Sequence, residues 1–200
     1  MSRDKLAILF IGIILVADQI LKVYIKTHMM LGEEFNVLGN WFIIHFTENN
    51  GMAFGFEFGG KPGKIALSIF RIIAITGIGW YLVHLIKHRE AKGLIISVSL
   101  IFAGALGNII DSVFYGMIFT DSYHQVAALN PSESYSSFLH GKVVDMFYFP
   151  IFKGYLPSWL PVWGDKYFVF FRPVFNIADT AITTGVLMIL VFQKRYFKKQ

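Results

Sequence analysis

The chain has no cysteine and little charge. Without cysteine it has no disulfide framework, no thiolate nucleophile and no cysteine metal site. Charged residues are 16% of its 200 positions, where a soluble domain carries about 25%. The six histidines (His28, His45, His84, His88, His124, His140) show no H-E-x-x-H or other ligand spacing. A G-x-S-x-G elbow and a Walker loop are also missing, which leaves metal and serine mechanisms unsupported. No small-x-small cleavage site follows the first apolar run, so that run is read as a permanent span and not a removed signal. Internal repeats are not visible.

What is present is apolar. Hydrophobic residues reach 55%, aromatics 17%, and the mean hydropathy is +0.56. Four runs, at about 6–25, 65–86, 94–114 and 174–192, are long enough for a hydrocarbon core of about 30 Å, which takes about 20 helical residues. The net charge of +5 could suggest nucleic acid, but no DNA-reading motif accompanies it. Its location explains it better. Arg3 and Lys5 precede the first run, Lys87, Arg89 and Lys92 separate the second and third, and Lys194, Arg195, Lys198 and Lys199 follow the last. Under the positive-inside rule this predicts an all-α membrane domain over 1–200, with four transmembrane helices and both termini inside. Loops 26–64 and 115–172 then lie on the outer side.

Those loops carry structure. Trp41 to Phe46 is rich in β-formers and is followed by the turn-prone Glu48-Asn49-Asn50-Gly51 and then Met52 to Phe56, which suggests a small hairpin-like sheet. The second loop has a polar, serine-rich middle at 132–137, expected to be mobile. It ends in an aromatic stretch with Tyr155, Trp159, Trp163 and Tyr167, residues that favour the lipid headgroup level.

Polar residues inside apolar runs are costly, so each needs a reason. Asp18 and Lys22 are i,i+4 on one face of the first span, in the acid-before-base order that suits a helix. Two readings stay open there: an ion pair with a snorkelling lysine, or a Lys22 that faces substrate or a headgroup. In the third span Gly104, Gly107, Asn108 and Asp111 form one stripe, small residues admitting a neighbouring helix and polar ones projecting into the contact. Interhelical bonding and positioning of a site are compatible readings of it.

Two aspartates carry the most information. Arg172-Pro173 reads as the start of the fourth span, because proline suits a first helical turn. Asn176 and Asp179 follow on one face, and a start at Pro173 places Asp179 about 9 Å along the helix, below the interface. Asp145, in Val143-Val144-Asp145-Met146-Phe147, lies in an outer-side segment from which it could meet Asp179. Two carboxylates held close share a proton, so one can activate water while the other protonates a carbonyl or leaving amine. This is aspartic-protease chemistry and calls for no metal or cofactor. The alternative is a small proton-coupled transporter or channel with a carboxylate relay. Against it, the polar residues cluster at one end of the membrane, and no inverted repeat of broken helices is visible.

The motifs, taken in order, resemble those of the bacterial lipoprotein signal peptidases, the type II signal peptidases that are intramembrane aspartyl proteases. Asp18-Gln19-Ile20-Leu21-Lys22 resembles the first-span motif, and Asn49-Asn50-Gly51-Met52-Ala53-Phe54-Gly55 the N-x-G-x-A-F loop motif. Gly104 to Asp111 resembles G-G-A-x-G-N-x-x-D-R, and the segments around Asp145 and Asp179 match the two aspartate motifs. The resemblance implies that Asp145 and Asp179 are catalytic, that Asn49, Asn108, Asp111 and Asn176 line the site, and that Asp18 and Lys22 support it. The asparagine amides, able both to donate and to accept, would suit an extended substrate backbone. It further implies an outer-side sheet from the first loop and an interfacial helix from the aromatic part of the second. The substrates would be prolipoproteins carrying diacylglyceryl on the cysteine after the cleaved bond, processed at the bacterial inner membrane by a protein favoured as a monomer. Two departures stand out: Ser112 where the family commonly has arginine, and an insertion at about 119–140 with no assigned role.

Overall fold

The computed structural model describes residues 1–50 and 60–197. Four long helices form the bundle: α1 (Arg3–His28), α2 (Gly60–Lys87), α3 (Lys92–Ile110) and α5 (Ile177–Tyr196). All four are long and apolar enough to cross a membrane. Half of the apolar window of α3 is buried, against 17% for each of the others, so α3 is the central helix. Its small residues make that possible. A Cβ on Gly104 would lie 2.2 Å from the Ala178 carbonyl oxygen, and one on Gly185 of α5 would lie 2.5 Å from that of Ser97. Only glycine lets the two backbones approach this far. The outward faces are apolar, with Ile8, Ile20, Ile73, Trp80 and Val191 all exposed. This is the arrangement expected where lipid, and not water, is the solvent.

Past Ile110 the third span widens into a π-helical turn, Asp111–Tyr115, and ends in the short α4 (Gly116–Ile118). Such widenings often accompany functional sites. At this end of the bundle sits a four-stranded antiparallel sheet. Its strands are β1 (Glu34–Leu38), β2 (Phe42–Asn49), β3 (Val143–Tyr148) and β6 (Val174–Phe175), in the order β1-β2-β3-β6. β4 (Phe152–Tyr155) and β5 (Tyr167–Phe170) form a separate two-stranded sheet. Val144 and Met146 of β3 pack with Ile25, Met29, Phe46, Tyr115 and Phe119 in one core. At the opposite end a second core joins Ala7, Leu82, Leu85, Leu94, Ile95 and Val98.

Three expectations are corrected. The strand at 42–49 exists, but its hairpin partner precedes it: β1 pairs with β2 around Gly39, whose φ of +52° is one glycine adopts without strain. Glu48 and Asn49 are therefore strand and not turn, while Gly51 to Gly55 lie outside the described residues. The aromatic part of the second loop, expected as an interfacial helix, forms β4 and β5 with turns between them, and β-forming Tyr167 to Phe170 takes partners across the strands. The fourth helix starts at Ile177 and not at Pro173. Val174 and Phe175 pair with Tyr148 and Phe147, and that ladder keeps the chain extended up to the cap.

The insertion is tied down at several points. Met30 bridges to Val126, Phe119 to Leu129, and Tyr135 N donates to the Phe119 carbonyl. Beneath it Lys26, fully buried, pairs with Glu48 and donates to Ser122 Oγ at 2.9 Å, and Lys142 reaches the second Glu48 oxygen at 3.1 Å.

Candidate active site

Asn176 is the N-cap of α5. Its side-chain oxygen accepts the Asp179 N–H at 2.9 Å, and Asp179 Oδ2 accepts the Asn176 N–H at 3.3 Å, a reciprocal capping box. Asp179 therefore sits in the first turn of its helix, where the unpaired N–H groups and the positive end of the helix dipole favour a carboxylate. The depth expected from a start at Pro173 does not apply. Asp18 of α1 completes the same turn by accepting the Ala178 N–H at 2.9 Å.

The amide of Asn176 then reaches the other carboxylate, donating to Asp145 Oδ1 at 2.7 Å, to the Val144 carbonyl at 3.2 Å and to Asn108 Oδ1 at 3.2 Å. Asn108 Nδ2 donates to Asp179 Oδ1 at 2.9 Å. One fully buried asparagine thus touches both aspartates. Asn49, at the end of β2, adds a hydrogen bond to Asp145. The strand places Asp145 by alternation: Val144 and Met146 face the core, so Asp145 between them faces α5. Its carboxyl is pushed up to about 7, first by burial and then by the charge of Asp179, against the opposing pull of Lys22, Asn176 and Asn49.

Behind the pair lies a second layer. Lys22, completely buried, contacts Asp18 Oδ2 at 2.9 Å, Asp111 Oδ2 at 2.8 Å and Asn108 Oδ1 at 2.8 Å. All three ammonium protons are engaged, which selects the ion-pair reading of Lys22 without any snorkelling. Asp111 also accepts the Val144 N–H at 3.3 Å and the Gln19 amide at 2.9 Å, and so fixes the strand that bears Asp145. All eight expected residues (Asp18, Lys22, Asn49, Asn108, Asp111, Asp145, Asn176 and Asp179) converge here. Asn108 and Asn176, however, spend their amides on the carboxylates and on Lys22, and so are not free to line a substrate backbone.

Two contributors were missed. Gln19 bridges Asp18, Asp111 and Tyr115. Arg71 of α2 feels the charges of both Asp179 and Asp145. An arginine inside the apolar run 65–86 was a visible signal, because its burial in lipid is costly. Ser112, where the resemblance leads one to expect arginine, is buried and donates to the Asn108 carbonyl at 3.0 Å. Among the described residues no group of three or more His, Cys, Asp or Glu could hold a metal ion.

Four apolar helices around an asparagine-bridged pair of carboxylates, one of them buried, define a multi-pass membrane protein with a polar site at one end of its bundle. The chain belongs to the signal peptidase (SPase) II family of proteases, which matches residues 10–194. It is 48% identical to the lipoprotein signal peptidase of Porphyromonas gingivalis over 98% of this chain and 85% of that one. With the lipoprotein signal peptidase of Amoebophilus asiaticus it shares 42% identity, over 91% of this chain and 76% of the other. Its fold is similar to that of a bacterial membrane enzyme solved at 1.9 Å, with a TM-score of 0.61 and 27% identity over 97% of this chain and 94% of that one.

Proposed function

We propose that this protein is an intramembrane aspartic endopeptidase that removes signal peptides from diacylglyceryl-modified prolipoproteins, cutting before the lipidated cysteine. It would lie in the bacterial inner membrane with both termini inside and its site near the outer face. The observation that carries the aspartic mechanism is Asn176, bonded at once to Asp145 Oδ1 and to the backbone of Asp179. One side chain bonded to both aspartates supports the reading that their carboxyls work as a pair and share one proton.

Burial pushes the Asp145 carboxyl up, which supports one assignment of the roles. Asp145 holds the shared proton, and Asp179, with donors from Asn108 and from its own helix start, takes the base's part. Asp179 removes a proton from water as the water oxygen bonds to the scissile carbonyl carbon. Asp145 gives its proton to the carbonyl oxygen, and a tetrahedral diol results. On collapse Asp179 returns its proton to the leaving nitrogen, the C–N bond breaks, and Asp145 recovers a proton from a diol hydroxyl. The acyl chains would stay in lipid and orient the bond beside the pair.

Purified protein with a lipidated precursor peptide tests this directly. Asp145→Asn and Asp179→Asn should each abolish cleavage while the protein stays folded, and the double variant should lose little more, because groups acting as a unit are non-additive. Substantial turnover by either single variant would remove the pair from the mechanism. Equal cleavage of lipidated and unlipidated peptides would sink the lipoprotein reading alone.

A further inference from the structure

One helix contributes a charge that the mechanism above does not use. Along α2 the residues that turn away from lipid are Lys64, Ser68, Arg71, Ile75, Ile78, Leu82 and Leu85, spaced alternately by four and three. Ser68, Ile75, Leu82 and Leu85 on this stripe are buried, while Ile69, Phe70, Ile72 and Ile73 beside it are exposed. Arg71 lies between Ser68 and Ile75, so its side chain leaves the helix on the inward face.

The upper part of that face is docked beside the site. Lys64 Nζ donates to the His140 carbonyl and to Asn50 Oδ1, each at 2.9 Å, and Ser68 Oγ lies 3.4 Å from the Leu139 carbonyl. Residues 139–142 run straight into β3 and Asp145. Arg71, one turn further along α2, is where both aspartates act on the guanidinium, Asp179 more strongly than Asp145.

The packed elements carry other charges: Asp18 and Lys22 on α1, Asp111 in the π-turn after α3, Lys64 on α2 and Glu48 on β2. Glu48 is matched by Lys26 and Lys142. Lys22 is held by Asp18 and Asp111, two carboxylates on one ammonium, so its charge is already outnumbered before the pair is considered. A singly ionised pair needs a cation from another direction.

We propose that Arg71 is a positioning residue for the acid pair: its guanidinium, reaching in from α2, keeps the negative charge on Asp179 and the shared proton on Asp145. This rests on the aspartic reading above. Arginine suits the task because its guanidinium stays charged across the whole pH range of the assay and presents several donors in a fixed fork.

The test is the pH dependence of cleavage of the lipidated peptide by the purified full chain. Removing a cation makes both proton losses from the pair harder, so Arg71→Gln should move the whole bell-shaped profile to higher pH by about one unit. At neutral pH kcat should fall about 10- to 100-fold with KM little changed. Arg71→Lys, which restores charge, should return most of the rate and bring the profile back. If Arg71→Gln does not fold, Arg71→His decides the matter: its charge disappears above about pH 6.5, so cleavage should follow the imidazole. A wild-type rate and profile in Arg71→Gln would overturn the proposal, and so would an unshifted profile with raised KM. In Arg71→His, a wild-type profile would do the same. Failure of the wild-type chain to cleave, or turnover by Asp145→Asn, would instead refute the aspartic reading itself.

Discussion

Replacing Asn176 by aspartate changes one atom's chemistry and almost no volume, which makes it the sharpest probe of the bridge. The new side chain keeps an oxygen to accept the Asp179 N–H at 2.9 Å, so the cap of α5 survives. It loses the amide that donates to Asp145 Oδ1 at 2.7 Å, to Asn108 Oδ1 and to the Val144 carbonyl, each at 3.2 Å. In its place stands a third carboxylate facing two others. Two like charges about 4 Å apart repel by about 4 kcal/mol at an effective dielectric constant of about 20. Each 1.36 kcal/mol is about tenfold in rate, and part of the repulsion is relieved when the new group takes up a proton. The expected loss of cleavage at neutral pH is about 100- to 1000-fold. Lowering the pH should recover part of it, because a protonated carboxyl can donate to Asp145 once more. Asn176→Ser is the control: it keeps a capping oxygen and adds no charge, so it should lose only about 1–3 kcal/mol, with no recovery in acid. The assay is peptide cleavage in detergent from pH 5 to 8, beside thermal unfolding of each variant. An Asn176→Asp protein that cleaves at the wild-type rate at neutral pH would refute the bridge.

Three further outcomes are expected. Asp145 is raised in the folded state, so its protonation stabilises the fold fully below about pH 4, and that stability is lost as pH rises through about 7. Asp145→Asn should accordingly gain stability over the wild type across this window, by on the order of 4 kcal/mol at its upper end, read as a growing difference in Tm. Gly104→Ala would push a methyl to 2.2 Å from the Ala178 carbonyl, so α5 must shift; we expect a loss of about 1–3 kcal/mol in unfolding and a matching fall in cleavage, where an unchanged Tm would contradict the close packing. For topology, the chain has no native cysteine, so single cysteines at Ser2, His88 and Ser132 can be labelled in intact cells with an impermeant reagent. Reaction at Ser132 alone fits termini-inside; reaction at His88 would reverse it.

The spans were legible because an apolar run of about 20 residues has few other uses. The polar cluster was legible for the complementary reason: carboxylates and amides are too costly in lipid to be left without partners, so Asp18, Asn108, Asp111 and Asp179 announced themselves. What failed was local choice between two valid signals. Arg172-Pro173 and Asn176-x-x-Asp179 are both helix starts. The second prevailed because Val174 and Phe175 found partners in β3, a contact about 30 residues away that no local window contains. The hairpin failed in the same way, since β1 carries no strong β signal of its own and is fully exposed. The hold of the insertion on Lys26 and Glu48 likewise depends on charges far apart in sequence.

The two aspartates come from different kinds of element, and that division has mechanical sense. A helix start fixes Asp179 through its own backbone: the cap, the N–H groups and the dipole all move with it. Asp145 stands on a strand, where a slip of one residue would turn it to the opposite face and send Val144 or Met146 toward α5. Register therefore has to be pinned, and it is pinned twice. The ladder between β2 and β3 shifts between Ile44 and Thr47, which sets Thr47 opposite Asp145. Asp111 then holds the Val144 N–H from the central helix. Asp111 is itself anchored by Lys22, whose other partner, Asp18, caps the turn that bears Asp179. One lysine thus ties the strand's anchor to the helix's cap, so that relative movement of the two aspartates must break a buried ion pair. Breaking such a pair by removing one partner costs about 3–5 kcal/mol, and that is the stiffness with which this fold can keep two mutually repelling acids together.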